Sequence, residues 1–486
     1  MVPRPVTVVP ALPALPSGCE QHKTIDEYYD RLGPLAPIHS LVEEVADNQA
    51  NEHEALKFGN GNHLNSSLSD ISAGGANETQ YRTNLPVRKA AWHKAINDML
   101  NNETPDDPSD DFIAILGSVP SGPNAGYPQI TIPMGYAATT RRAQSISVNG
   151  GAYHERDLIG IAYVIEQATH LREPVSAVNP SMYRCTGTVP APPFASRGGC
   201  NPSYKSLAGM VASAPKLSFS LETESAQSLQ ARMTAGTLTA QALTKAYLAR
   251  IAITNAEGPA TQAVRDVDPS ALGEAAKLDA ERKQGKVRGP LHGIPVLLSD
   301  SIDASGLPTT AGSIALQNSK PKKDAKIVAK LKAAGAIILG KTNVTELNGV
   351  FSGTMPEGYS SLGGFVLLPS DTDNNSGGSS AGATSATASG LAAMTVGMET
   401  GTDVGAQMIT PAGNAGVVAL KPTVGRVSRT GTMPVAKSQT PWVRSHGPSM
   451  TRRCSCRRSP VPTPTIRRPW ARPRCRATPP ASRRPL

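Results

Sequence analysis

From Val87 to Leu100 apolar side chains recur at Val87, Ala91, Ala95, Ile96 and Met99, a helical spacing that predicts one mostly apolar side. Phe112 to Leu116 and Gln129 to Pro133 are short apolar runs that read as buried strands. Asp157 to Ala168 sets Leu158, Ile161, Ala162 and Ile165 on one face of a second helix. Ser225 and Thr239 stand where N-caps are expected. The first precedes Leu229 and Met233 in a helix ended by Gly236, and the second precedes Leu243, Ala246, Tyr247 and Ile251. Pro290 to Leu298 then leads into a buried strand, Asp324 stands as cap to a helix from Lys326 to Ala334, and Ala336 to Gly340 gives the next strand. Strand, helix and strand at this spacing favour a parallel crossover, and Gly416 to Leu420 adds another apolar run. The expected class is α/β.

The pattern divides the chain into an irregular start at 1–23, a globular block at 24–171, a linker at 172–216, a second block at 217–441 and a tail at 442–486. A length of 486 residues suits one large core or two medium ones. The formal charge of +10 is a property of the tail: twelve arginines and no acid lie between Arg444 and Arg484, leaving the rest slightly acidic. That block has prolines throughout and no interleaved tyrosine or phenylalanine, so it gives no specific nucleic-acid signature. No apolar span is long enough for a membrane. The proline-broken start lacks the core of a signal peptide, which leaves the cytoplasm as the default compartment. Of six cysteines, Cys185 and Cys200 are candidates to pair in an exported protein, whereas Cys454 and Cys456 lack a second ligand pair. The histidines show neither HExxH nor HxxxH spacing, and no metal or cofactor is expected.

Asn375 to Thr423 concentrates glycine, alanine and serine, residues that permit close backbone approach. Its Gly377-Gly378-Ser379-Ser380-Ala381-Gly382 phrase admits a phosphate cradle, a linker or a serine-dependent loop. The Walker-type lysine is missing, and an alanine-rich helix and an apolar run come next, which favours the serine loop. With Gly401 to Gln407 and Leu420-Lys421-Pro422-Thr423, the segment resembles the amidase signature hydrolases, whose GGSSxG segment, GTDxGGS loop and GLKPT strand occur in this order. The resemblance implies a mixed sheet core with helices on both faces. It also implies an inverted order of halves, since Thr24 to Leu171, through Gly126 to Pro133, resembles a late amidase half, whereas Ser225 to Gln439 resembles an early one. Either a circular permutation closes into one domain or two truncated tandem units meet. Re-read in another frame from Trp442, the tail becomes an amphipathic helix and a turn, similar to the stretch after KPT in this family. As printed it is expected to be a frameshifted, irregular segment.

In this family a neutral lysine takes a proton through a bridging serine held in a cis peptide, and a second serine attacks the amide carbonyl. Carried over, the bridging serine is Ser379 and the supporting serine is Ser380. The lysine position is Ser299, in GIPVLLSDSID, and the nucleophile position is Gln407, reached with about four excess residues between the loops. The backbone N–H groups of Val404, Gly405, Ala406 and Gln407 remain candidates for an oxyanion cup. The expectation is a family homologue with an incomplete relay, binding a small amide or carboxylate; the alternatives are an active amidase with substituted residues and a non-enzymatic ligand-binding or structural protein. Asp300, Asp303, Thr400 and Thr402 are the available substitutes. Asp300 is read as a carboxylate satisfied by backbone donors, His292 as solvated or at the core edge, and Glu346 and Glu357 as solvated.

Overall fold

The structure, a computed structural model, describes residues 12–15, 21–34, 36–59, 61, 68, 76–102, 106, 110–117, 125–179, 214–256, 260–399, 407–433 and 442–446. All of them belong to a unit spanning Met1–Met450. Cys185, Cys200, Cys454 and Cys456 lie outside the described residues.

Nine strands form one sheet: β1 (Ile115–Leu116), β2 (Gln129–Tyr136), β3 (Ala143–Asn149), β4 (Val264–Val267), β5 (Pro295–Ser299), β6 (Ile337–Thr342), β7 (Met394–Met398), β8 (Val418–Lys421) and β9 (Trp442–His446). Their spatial order is β1-β3-β2-β8-β9-β7-β5-β6-β4. The β7–β5 and β5–β6 pairs are parallel, and the others are antiparallel. The parallel centre explains the unbroken apolar runs in sequence, since Val296, Leu297 and Leu298 are buried from both faces.

The longer helices among the described residues are α1 (Gln21–Leu32), α2 (Leu41–Ala50), α3 (Ala76–Leu100), α4 (Glu155–Thr169), α5 (Ala226–Thr234), α6 (Ala240–Ile251), α7 (Ala271–Lys283), α8 (Lys326–Ala333), α9 (Ala381–Ala388) and α10 (Ile409–Ala415). Leu297 and Leu339 pack with α5, α6, α7 and α9 in one core cluster. Alternate residues Val296, Leu298 and Ile338 pack with Val328 and Leu331 of α8 in another, so helices cover both faces. Ser225 caps α5 in a reciprocal box with Ser228, and the Thr239 hydroxyl accepts from Ala242 N in α6.

The hairpin from the first block lies inside this sheet. β2 pairs with β8 through Thr131–Ala419, Ile130–Leu420 and Gln129–Lys421. The join continues past the strands: Val424 N donates to Gly126 O at 2.9 Å, and Thr423 N donates to the Glu155 carboxylate at 2.8 Å.

Several local expectations need correction. The run Phe112 to Leu116 yields only the two-residue β1, because only Ile115 and Leu116 meet a partner strand. Asp324 does not cap α8: Ala325 holds the N-cap position, and the Asp324 carboxylate accepts from Ser305 N and Lys332 Nζ at 2.8 Å each. The expectation of irregularity from Trp442 onward fails for Trp442–His446, which fill the sheet position between β7 and β8 and pair with both. Unfilled, that position would leave two inner edges of backbone donors and acceptors unpaired. Residues after His446 lie outside those described.

Candidate active site

The glycine and serine loop sits where several chain segments meet. An added Cβ on Gly378 would lie 2.4 Å from Thr345 Oγ1, and one on Gly382 would lie 2.3 Å from Asn343 O, so neither position tolerates a side chain. The Gly378–Ser379 peptide is cis. Ser379 O accepts from Thr345 N at 2.9 Å, which ties the loop to the segment after β6. Beyond it α9 is buried along its whole length, which its all-small sequence AGATSATA permits.

The structure brings Ser379, Ser380 and Gln407 together. Ser379 Oγ donates to Gln407 Oε1 at 2.8 Å, and Ser380 N donates to Gln407 O at 3.1 Å. Ser380 stands at the N-cap of α9 without capping it. Its hydroxyl instead donates to Met398 O at 2.7 Å and accepts from Met398 N at 3.0 Å, clamping the loop to the end of β7. Val404, Gly405, Ala406, Thr400 and Thr402 lie outside the described residues.

Ser299 ends β5 and is fully buried, and its Oγ accepts from Ser301 N at 3.4 Å. Strand alternation places it on the α9 side, the side of Leu297. On neighbouring β7, Thr395 Oγ1 reaches Ala383 O of α9 at 3.0 Å, and an added Cβ on Gly397 would lie 3.0 Å from Ser380 Oγ. Ser299 therefore shares a face with the serine loop, at a position whose hydroxyl cannot act as a base near neutrality.

Sequence reasoning passes over a buried lysine nearby. Lys341 of β6 is fully buried, and its Nζ donates to Ile302 O at 2.6 Å, Pro308 O at 3.1 Å and Thr309 Oγ1 at 3.1 Å. Burial lowers it to about 8, opposed chiefly by Asp300, whose Oδ1 is 3.6 Å away. That would suit a base, but a register shift in β6 sets Lys341 level with Leu298, whose side chain packs toward α8, and its hydrogen bonds go to the 302–309 segment rather than to the serine loop.

Asp300 has the satisfied environment expected of it. It accepts from Gly312 N at 3.1 Å and Thr310 N at 3.3 Å, and it also binds the Thr310 hydroxyl and Arg265, with Arg265 Nε at 2.9 Å. Asp303 accepts from Tyr28 Oη at 2.9 Å. His292 is not solvated: it is fully buried, Nδ1 facing Arg288 N at 3.2 Å and Nε2 facing Leu278 O at 2.9 Å. Glu346 is also fully buried and accepts from Ser361 N at 2.7 Å, whereas Glu357 is exposed.

A further carboxylate positions Gln407. Buried Glu399, one residue after β7, accepts from Gln407 N at 2.7 Å, Met408 N at 2.8 Å and Ile409 N at 3.2 Å, which fixes the entry to α10. Burial raises its carboxyl above the usual range, and those backbone donors oppose the rise. Its signal in sequence is an acid embedded in an apolar strand end, Met394 to Glu399. Among the described residues no group of three or more His, Cys, Asp or Glu gathers as a metal site, and no helix is long and apolar enough to cross a membrane.

Comparison with known proteins matches residues 242–449 to the Amidase family. The chain is similar to a glutamyl-tRNA(Gln) amidotransferase subunit of Chloroflexus aurantiacus, 40% identical over 210 residues, covering 43% of this chain and 41% of that protein. It is likewise similar to the subunit of the same name from Rhodopirellula baltica, 40% identical over 215 residues, covering 44% and 41%. Among solved structures it is similar to the native peptide amidase of Stenotrophomonas maltophilia, with 43% identity, a TM-score of 0.44, and 46% of this chain and 45% of that one covered. The chain spans about a third to two-fifths of the length of the curated relatives it matches.

Proposed function

We propose, from the premise that the chain belongs to the amidase signature family through residues 242–449, that it is an amidase-type hydrolase homologue whose proton relay is incomplete. The observation that carries the reading is the Ser379–Gln407 contact. The serine in the bridging position gives its hydrogen bond to a carboxamide oxygen, where relay chemistry requires a hydroxyl nucleophile on one side and a base on the other. Ser299 occupies the base position, and Lys341 lies across the sheet. There remains a buried serine loop able to hold a small amide or carboxylate through hydroxyl and backbone groups.

Activity loss of this kind is large, because members of a nucleophilic unit act together and removing one costs many powers of ten. The test is a panel of short amides and aryl esters offered to the unmodified chain, to Ser379→Ala and to Ser299→Lys combined with Gln407→Ser. The expected result is no family-like amide turnover by the first two and a gain in the double replacement. Amide turnover by the unmodified chain that vanishes in Ser379→Ala would overturn the reading. An inverted order of halves within one domain accompanies this proposal. The pairing of β2 with β8 supports closure over two separate truncated units, since each alone would expose an apolar strand edge.

A further inference from the structure

The helices α1 and α2 cover the loops behind the candidate site. Ile25, Tyr28, Tyr29, Leu41 and Val45 form one apolar cluster with Ala311, Leu316, Leu347 and Phe351. Inside this junction lie two fully buried carboxyl groups from distant parts of the chain, Glu44 on α2 and Glu346 just after β6. One oxygen of each is occupied, Glu44 Oε2 by the Tyr29 hydroxyl and Glu346 Oε2 by Ser361 N. The other two, Glu44 Oε1 and Glu346 Oε1, are left with the Ser313 hydroxyl as the nearest hydrogen-bonding group among the described residues, and that hydroxyl lies outside regular hydrogen-bond geometry. Ser313 is the neighbour they share. One turn along α2, the buried Asn48 amide also lacks a partner. Two unpaired anions in such a seam would cost far more than two neutral carboxylic acids.

We propose that Glu44 and Glu346 form a proton-dependent latch, which holds α1 and α2 on the segments 311–316 and 346–351 while the pair carries its protons and lets them detach once both ionise. Among the described residues, the titratable groups facing the pair supply no cation. From α1 come Tyr29 and, behind it, Asp26; from α2 comes Asp47; and the segments at 311–316 and 360–361 contribute only Ser313 and Ser361. Burial, the largest cause for each, raises Glu44 to about 7 and Glu346 to about 8. The closed form therefore binds more protons than the open one, and its advantage falls as pH rises from the ordinary carboxylate range through these values. The device matters to the site because Thr345, the residue before Glu346, donates to Ser379 O at 2.9 Å.

The experiment is amide hydrogen exchange on the full chain between pH 6 and pH 9, with protection corrected for intrinsic exchange and read separately over α1–α2 and over α6. Linkage expects the opening constant of α1–α2 to rise at least tenfold, with a ceiling of about a thousandfold, while α6 stays unchanged. Glu44→Gln combined with Glu346→Gln, permanently uncharged at both positions, should keep α1–α2 protected at pH 9. Equal loss of protection in wild type and double variant overturns the latch, as does a wild-type profile that is flat or uniform across both regions. If the double variant does not fold, the comparison of the two regions within the wild-type chain decides alone.

Discussion

Replacing Asp300 by asparagine removes a carboxylate that faces two buried cations, Lys341 and Arg265, the second of which keeps Asp266 as a partner. Arg265 Nε lies 2.9 Å from Asp300 Oδ2, and Lys341 Nζ lies 3.6 Å from Oδ1, with Asp300 and Lys341 fully buried. At an effective dielectric of about 20 the Lys341 contact alone corresponds to roughly 4–5 kcal/mol of Coulomb attraction. Breaking one side of such a pair typically costs about 3–5 kcal/mol, because the remaining charge stays buried. Asparagine keeps the shape and some acceptor capacity, so the expected loss at pH 7 is about 3–5 kcal/mol. A large part should return in Asp300→Asn combined with Lys341→Met, which removes the stranded ammonium. The assay is urea unfolding of the four proteins in the cycle, monitored by tryptophan fluorescence and circular dichroism. Additive effects, with no coupling between the two positions, would refute the account of Lys341 as a buried cation held by Asp300.

Two other outcomes rest on close packing and on burial. Gly340→Ala should destabilise by about 1–3 kcal/mol or more, since its Cβ would lie 2.1 Å from Asp266 O and must push β4 from β6; an unchanged urea midpoint would contradict this. Burial lowers both Lys341 and Lys421 from 10.5 to about 8, so the unfolded chain holds protons that the folded chain has lost. Stability should therefore rise between about pH 8 and pH 10.5 through these two groups, with Lys421→Met removing part of the slope; urea midpoints that show no difference in slope between variant and wild type count against it.

Elements are legible where burial imposes a strong pattern. The runs in β5 and β6 are apolar because both faces are covered, and the α4 stripe is regular because only one side meets the sheet. β3 is hidden in the sequence, since AQSISVN is rich in small polar residues and its burial does not alternate along the strand, and its pairing with β2 makes it a strand. Glu346 reads as solvated for a related reason. Its neighbours in sequence are polar, and its cover is a helix pair from the start of the chain.

The site shows where motif spacing stops and strand register begins. Ser299 and Lys341 lie on adjacent strands, and a reading by distance alone would nominate the lysine as the base of the proposed relay. Register decides otherwise: Ser299 pairs with Thr342, and Lys341 pairs with Leu298, one residue earlier on each strand. Because a bulge in β6 before Gly340 interrupts the alternation, Lys341 falls in step with Leu298 and the α8 face, whereas Ser299 falls in step with Leu297 and the α9 face. Under the proposed reading, a lysine completes the relay only from the parity of Ser299 on β5. The substitution that the geometry selects is therefore Ser299→Lys, whereas moving or removing Lys341 should change stability without creating turnover.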